Sequence, residues 1–132
     1  MATFHLKVLT ADRVFYDGQV ERVIVRTTQG DVGILPKHIK YLAALGIGGL
    51  TIYADGASRV AAVSGGFVDV SEENTVILAR TCEWADEIDI NRAREAEARA
   101  KAKLQQQLSA REHDIASVKL KKAINRIRIA EK

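Results

Sequence analysis

The chain has 132 residues, 47% of them apolar, and a net charge of +3, which suits one ordinary domain plus an appendage too small to hold a core alone. No stretch reaches the roughly 20 apolar residues of a membrane-spanning helix, and the opening Met1-Ala2-Thr3-Phe4-His5-Leu6-Lys7 has neither a signal nor a transit layout, so a soluble cytoplasmic protein is expected. A single cysteine, Cys82, excludes an internal disulfide, and the scattered His5, His38 and His113 offer no metal-ligand spacing.

The first strands are announced by alternation. Phe4, Leu6 and Val8 alternate with His5 and Lys7, and Val23 and Val25 alternate with Arg22, Ile24 and Arg26, the period of two of half-buried strands. Leu50 to Val63 reads as two strands around Asp55-Gly56, a pair suited to the positive φ angles of a tight hairpin. Ser64-Gly65-Gly66 has no Lys-Ser/Thr at phosphate-loop spacing and predicts a strand bend. Phe67, Val68 and Val70 precede, and Thr75 to Ala79 follow, a polar turn at Ser71-Glu72-Glu73-Asn74, which predicts a further strand pair. Cys82 and Trp84 are expected to pack near the end of this half. Short strands at this spacing imply an antiparallel sandwich or barrel.

All nine glycines and the one proline fall before residue 67; beyond it the strong helix formers Ala, Glu, Lys, Arg and Gln take over. A boundary is therefore expected between residues 1–84, strand-rich, and 85–132, helical. Ala93, Ala96, Ala100, Leu104 and Leu108 recur at helical spacing, and Ala116, Leu120, Ala123, Ile127 and Ala130 do so again, predicting two helices with narrow apolar seams. Asp89 fits the N-cap of the first, and Ser109 with Glu112 has the spacing of a capping box for the second. Glu95 with Arg99 and Glu97 with Lys101 add pairs four residues apart. The whole reads as an α+β chain, a sandwich followed by a two-helix hairpin. An alanine-rich seam buries little apolar area, so the hairpin should open easily.

Charge is uneven. Residues 1–82 hold 8 Lys/Arg against 8 Asp/Glu, while residues 83–132 hold 12 against 9, so the excess lies in the helical half. From Lys119 onward stand Lys121, Lys122, Arg126, Arg128 and Lys132 against Glu131 alone, a stripe that suits an anionic partner. Arg92 and Arg99, seven apart, share one helix face, where guanidinium forks can hold phosphate oxygens, and an antiparallel hairpin brings Arg126 alongside.

Three runs in order, Gly30-Asp31-Val32-Gly33-Ile34-Leu35-Pro36-Lys37-His38, Val63-Ser64-Gly65-Gly66-Phe67-Val68-Asp69-Val70 and Asp86-Glu87-Ile88-Asp89-Ile90-Asn91-Arg92-Ala93, resemble the epsilon subunits of bacterial F-type ATP synthases over essentially the whole chain. The resemblance implies a sandwich of about ten strands docked on the gamma subunit and the ring of c subunits, the ring met through the loop near Asp31. It implies a non-catalytic rotor part at the cytoplasmic face of the bacterial plasma membrane, whose hairpin, compact or extended, restrains ATP hydrolysis by meeting the catalytic alpha and beta subunits with its basic second helix. It further implies regulatory ATP binding without hydrolysis, carried over onto Glu83, Ile88, Asp89, Arg92, Ala93, Arg99, Lys122 and Arg126. Lys122 stands where nucleotide-binding members tend to carry arginine, exchanging a planar fork for a point charge. Ile39-Lys40-Tyr41 follows His38 where the family usually has a small residue and proline.

A nucleic-acid module built on the basic helix is disfavoured, because its cations lack interleaved aromatics and the other half is electrically neutral. A small hydrolase is disfavoured because no nucleophile and base converge in sequence, His5 and His38 included.

Overall fold

The structure, a computed structural model, describes residues 2–132 and divides into two compact units, one ending at Trp84 and one spanning Ala85–Lys132. The first holds seven strands: β1 Phe4–Leu9, β2 Val14–Val20, β3 Arg22–Thr27, β4 Gly30–Ile34, β5 Tyr41–Ala54, β6 Ala57–Val70 and β7 Asn74–Trp84. They form one sheet in the order β2-β1-β7-β6-β5-β3-β4, antiparallel except where β1 lies parallel to β7. β2 nevertheless touches β5, which is not its neighbour in the sheet, because the sheet doubles over into two layers. The core lies between them, with Leu6, Val8, Val20, Val23, Val25, Ile34, Leu50, Val63, Val68 and Ile77 all buried.

Seven strands stand where about ten were expected, and the difference has a physical cause. β5, β6 and β7 each run through both layers. In β6 the inward residues are Ala61 and Val63, then Val68 and Val70; in β7 they are Thr75, Ile77 and Ala79, then Cys82 and Trp84. β5 changes phase in the same way at Gly46 and Ile47, with Leu45 inward before the change and Leu50 and Ile52 after it. A phase change in a period-two pattern means that the strand has turned its other face to the core. The three changes line up across the ladder, where Gly66 pairs with Ala79, Ser64 pairs with Thr81 and Ile47, and Val25/Thr27 of β3 meets a bulge against β5. Counting each of these three strands as two straight halves recovers ten segments.

At that corner Gly65 and Gly66 take φ of +68° and +114°, the predicted bend. The Asp55-Gly56 hairpin closes with both residues at positive φ, +53° and +74°, the geometry that matches strand twist. Glu21 accepts a hydrogen bond from the Gly56 amide at 2.9 Å. The run about Asp31 is a strand in which Asp31 pairs with Arg26 of β3, so the loop at this end is the Thr28-Gln29 turn beside it. Arg26 Nε donates to Asp31 Oδ1 at 2.6 Å. Beyond β4, Lys37 adopts φ +63°, the left-handed region. Trp84, the last residue of β7, stacks on Phe15 at 4.3 Å between ring centroids and lies under the Arg59 guanidinium at 3.7 Å.

The second unit opens with a 3-10 turn, Ala85–Glu87, followed by α1, Ile90–Leu104, and α2, Ala110–Ala130, packed against each other. Asp89 caps α1 by accepting from the Arg92 amide at 3.1 Å, satisfying one of the free N–H groups of the first turn. Ser109 caps α2 by accepting from the Glu112 amide, and Glu112 returns a bond to the Ser109 amide. That cap requires an extended Ser109, so Leu108 falls in the connection rather than in α1, which ends at Leu104. No helix among the described residues is long and apolar enough to cross a membrane.

Candidate functional site

The seam between α1 and α2 is made of small residues. Ala93 and Ala100 are buried on α1, and Ala116 and Ala123 on α2, with Leu120, Ile127 and Ala130 half-buried beside them. Methyl side chains let two backbones approach closely, and the side chains flanking the seam therefore stand near one another across it.

Which cations flank it, and on which side, follows from about 100° of rotation per residue. Arg92 and Arg99 each precede a seam alanine of α1 by one residue and so stand to one side of the seam. On α2, Lys122 precedes Ala123 by one, and Arg126 follows it by three, which places both on the corresponding side. Antiparallel helices are related by a two-fold axis perpendicular to the hairpin, so corresponding sides coincide. Arg92, Arg99, Lys122 and Arg126 thus share one face. Two observed contacts check the geometry. Arg94 and Glu131, which the same arithmetic puts on the opposite face, meet at 3.4 Å. Glu112 and Lys103, which it puts on the cationic face, interact electrostatically, although the Ser109 hydroxyl is the larger reason that the Glu112 carboxyl is held below its ordinary value.

The Arg94–Glu131 pair also sets the register. Arg99 and Arg126 lie five residues in from it on their respective helices and so stand at about the same height. Arg92 and Arg99 are exposed, while Lys122 and Arg126 are half-buried. Three forks and an ammonium around a shallow seam can grip phosphate oxygens from several directions.

The remaining sequence-derived residues occupy other positions. Asp89 is exposed at the start of α1, with Oδ1 already engaged by the cap. Ile88 is buried between the 3-10 turn and that cap, and Ala93 is wholly buried in the seam, so both act by packing. Glu83 is half-buried on β7, paired with Ala62, and belongs to the first unit.

Sequence reasoning missed Asn125, which is 4% exposed although it carries a side-chain amide. Its Oδ1 accepts from Arg128 Nη2 at 3.1 Å. Nothing in the residue pattern announced this burial, because a polar residue among Lys and Arg reads as surface. Ile129, also buried, lies outside the predicted seam.

Comparison with known proteins follows the same division of the chain. Residues 3–85 match the ATP synthase, Delta/Epsilon chain, beta-sandwich domain, and residues 86–131 match the ATP synthase, Delta/Epsilon chain, long alpha-helix domain. The ATP synthase epsilon chain of Ruminococcus albus is 44% identical, with 100% of this chain and 99% of that one covered. That of Caldanaerobacter subterraneus subsp. tengcongensis is 46% identical over 98% of this chain and 95% of its own. Among solved structures, a chain of the Euglena gracilis mitochondrial ATP synthase superposes with a TM-score of 0.85 at 23% identity, over 95% of this chain and 79% of that one, a likeness of fold. With both halves matched in order and relatives aligned nearly end to end, the chain belongs to the ATP synthase delta/epsilon chain family.

Proposed function

We propose that the chain is a non-catalytic central-stalk subunit of a bacterial ATP synthase, in which the sheet unit is the mount and the helical hairpin the regulator. Its partners on this reading are a gamma subunit, a ring of c subunits reached through the Thr28-Gln29 turn beside Asp31, and acidic segments of the catalytic alpha and beta subunits. The basic run of α2 supplies the charge for the last of these. The protein then works as a peripheral component at the cytoplasmic face of the plasma membrane and performs no bond-making of its own.

The hairpin's regulatory ligand is ATP, bound and not hydrolysed. The observation that carries this is the one-sided placement of Arg92, Arg99, Lys122 and Arg126 across an alanine seam. A ligand shifts a two-state element only by its differential affinity for the two states. A phosphate chain held jointly by α1 and α2 binds the closed hairpin better than the open one, so ATP favours the compact form and lack of ATP favours the extended, inhibitory one. Isothermal calorimetry of ATP into the isolated chain tests this. Heat of binding is expected, with Arg126→Ala weakening affinity by about tenfold or more, as removal of a charge-assisted contact worth roughly 1.5–3 kcal/mol implies. Absence of heat at millimolar ATP would leave the hairpin a purely mechanical inhibitor.

A further inference from the structure

The cationic face does not stop at the residues that a nucleotide would use. Lys103 follows Ala100 by three residues on α1, and Lys119 follows Ala116 by three on α2, so both stand on the same face as Arg92, Arg99, Lys122 and Arg126. The register fixed by Arg94 and Glu131 brings Lys103 level with Lys122, each nine residues in from that pair, and sets Lys119 beyond them near the turn. At about 1.5 Å of rise per residue the row runs for roughly 20 Å from Arg92 to Lys119. Among the acids of the two helices and their caps, those on this side lie at its two ends, Asp89 and Glu112, each tied up in a helix cap. Glu95 is turned about 160° from the seam by the same rotation and faces away.

A row of six cations of that length is longer than the phosphate chain of a nucleoside triphosphate, and residues 85–132 contain no Phe, Tyr or Trp on which a base could stack. Recognition by this face therefore counts charge along a line and has little means of reading a base. We propose that the hairpin binds linear inorganic polyphosphate, laid along the seam from Arg92 to Lys119 and clasping α1 to α2. The absence of aromatic platforms favours this chain of bare phosphates over single-stranded nucleic acid. The inference shares Arg92, Arg99, Lys122 and Arg126 with the nucleotide reading and rests on Lys103 and Lys119, which that reading leaves unused.

The test titrates the full chain, at several salt concentrations, with long-chain sodium polyphosphate, tripolyphosphate, ATP and an oligothymidylate. Long-chain polyphosphate is expected to bind about tenfold or more tighter than tripolyphosphate at low salt, with affinity falling steeply as salt rises. The double variant K103Q/K119Q, altered at two exposed positions outside the seam, should lower the slope of log Kd against log salt by about two for polyphosphate, with ATP binding unchanged. K121Q, off this face, should change neither. Equal affinity for long and short phosphate chains, indifference to K103Q/K119Q, or equally tight binding of the oligothymidylate would each overturn the proposal. Silence toward ATP with polyphosphate binding intact would refute the nucleotide reading and leave this one standing.

Discussion

A Cβ placed on Gly66 would sit 1.9 Å from the Leu78 carbonyl oxygen and 2.9 Å from the Ala79 Cα, and its φ of +114° lies where side chains are strained in any case. Backbone, not a flexible side chain, is in the way. Gly66→Ala is therefore expected to cost about 3 kcal/mol or more, the combined scale of backbone strain and a clash that only a shift of β7 relieves. A denaturant midpoint within error of the parent would refute it. Lys37 shows the converse. It too holds positive φ, at +63°, but a left-handed conformation costs a non-glycine residue about 1–2 kcal/mol. Glycine's greater freedom in the unfolded chain offsets roughly half to one of that. Lys37→Gly should thus stabilise by about 0.5–1 kcal/mol and raise Tm by a few degrees, measured by thermal denaturation. A lower Tm would show that the lysine side chain contributes a contact outweighing the strain.

At the scale of elements, α2 depends on its cap. The Ser109 hydroxyl, then the Ser109 backbone amide, and more weakly Lys103, favour the charged form of Glu112 and hold its carboxyl below the ordinary value. A depressed folded-state value means that the stabilisation is present above the unfolded value and is lost as pH falls through the folded one. Protection of the Ser109 amide, which donates to the Glu112 carboxylate, should accordingly fall below about pH 4, and Glu112→Gln should remove that acid dependence while Ser109→Ala weakens the helix start by about 1 kcal/mol at neutral pH. Protection that stays flat with pH in the parent would count against the carboxylate's part in the cap. Much at this scale was legible in the sequence, and for identifiable reasons. Asp55-Gly56 announces its turn because few other pairs tolerate two positive φ values, and Asp89, Ser109 and Glu112 announce helix starts because their oxygens have few better uses there. The loss of Gly and Pro after residue 66 announced a change from strand to helix, although β7 runs on to Trp84 and α1 begins only at Ile90. The corner shared by β5, β6 and β7 was not legible as such, since a change of phase in a period-two pattern looks the same as the end of one strand and the start of another. Arg92, Arg99 and Arg126 could be placed on one face from spacing and an assumed hairpin. The extent of the row to Lys103 and Lys119 needed the observed register, which Arg94 and Glu131 supply.

For the whole molecule, the buried core of the sheet unit is complete by Trp84, with Leu6, Val25, Leu50 and Ile77 all internal to it. Deleting residues 88–132 is therefore expected to leave a folded sheet unit, with cooperative melting and a Trp84 emission maximum close to that of the full chain. In a reconstituted complex the same deletion should relieve inhibition of ATP hydrolysis; unchanged latent activity would argue against an inhibitory hairpin.

The doubling-over of the sheet bears on strength as well as shape. Since β5, β6 and β7 pass unbroken from one layer to the other, the layers have no way to slide apart or to melt one after the other. A force on either is relayed along covalent backbone before it reaches any packed side chain, and such a body yields only when several hydrogen-bonded ladders rupture together. On the proposed central-stalk reading, a mount that turns with its neighbours needs stiffness of that kind.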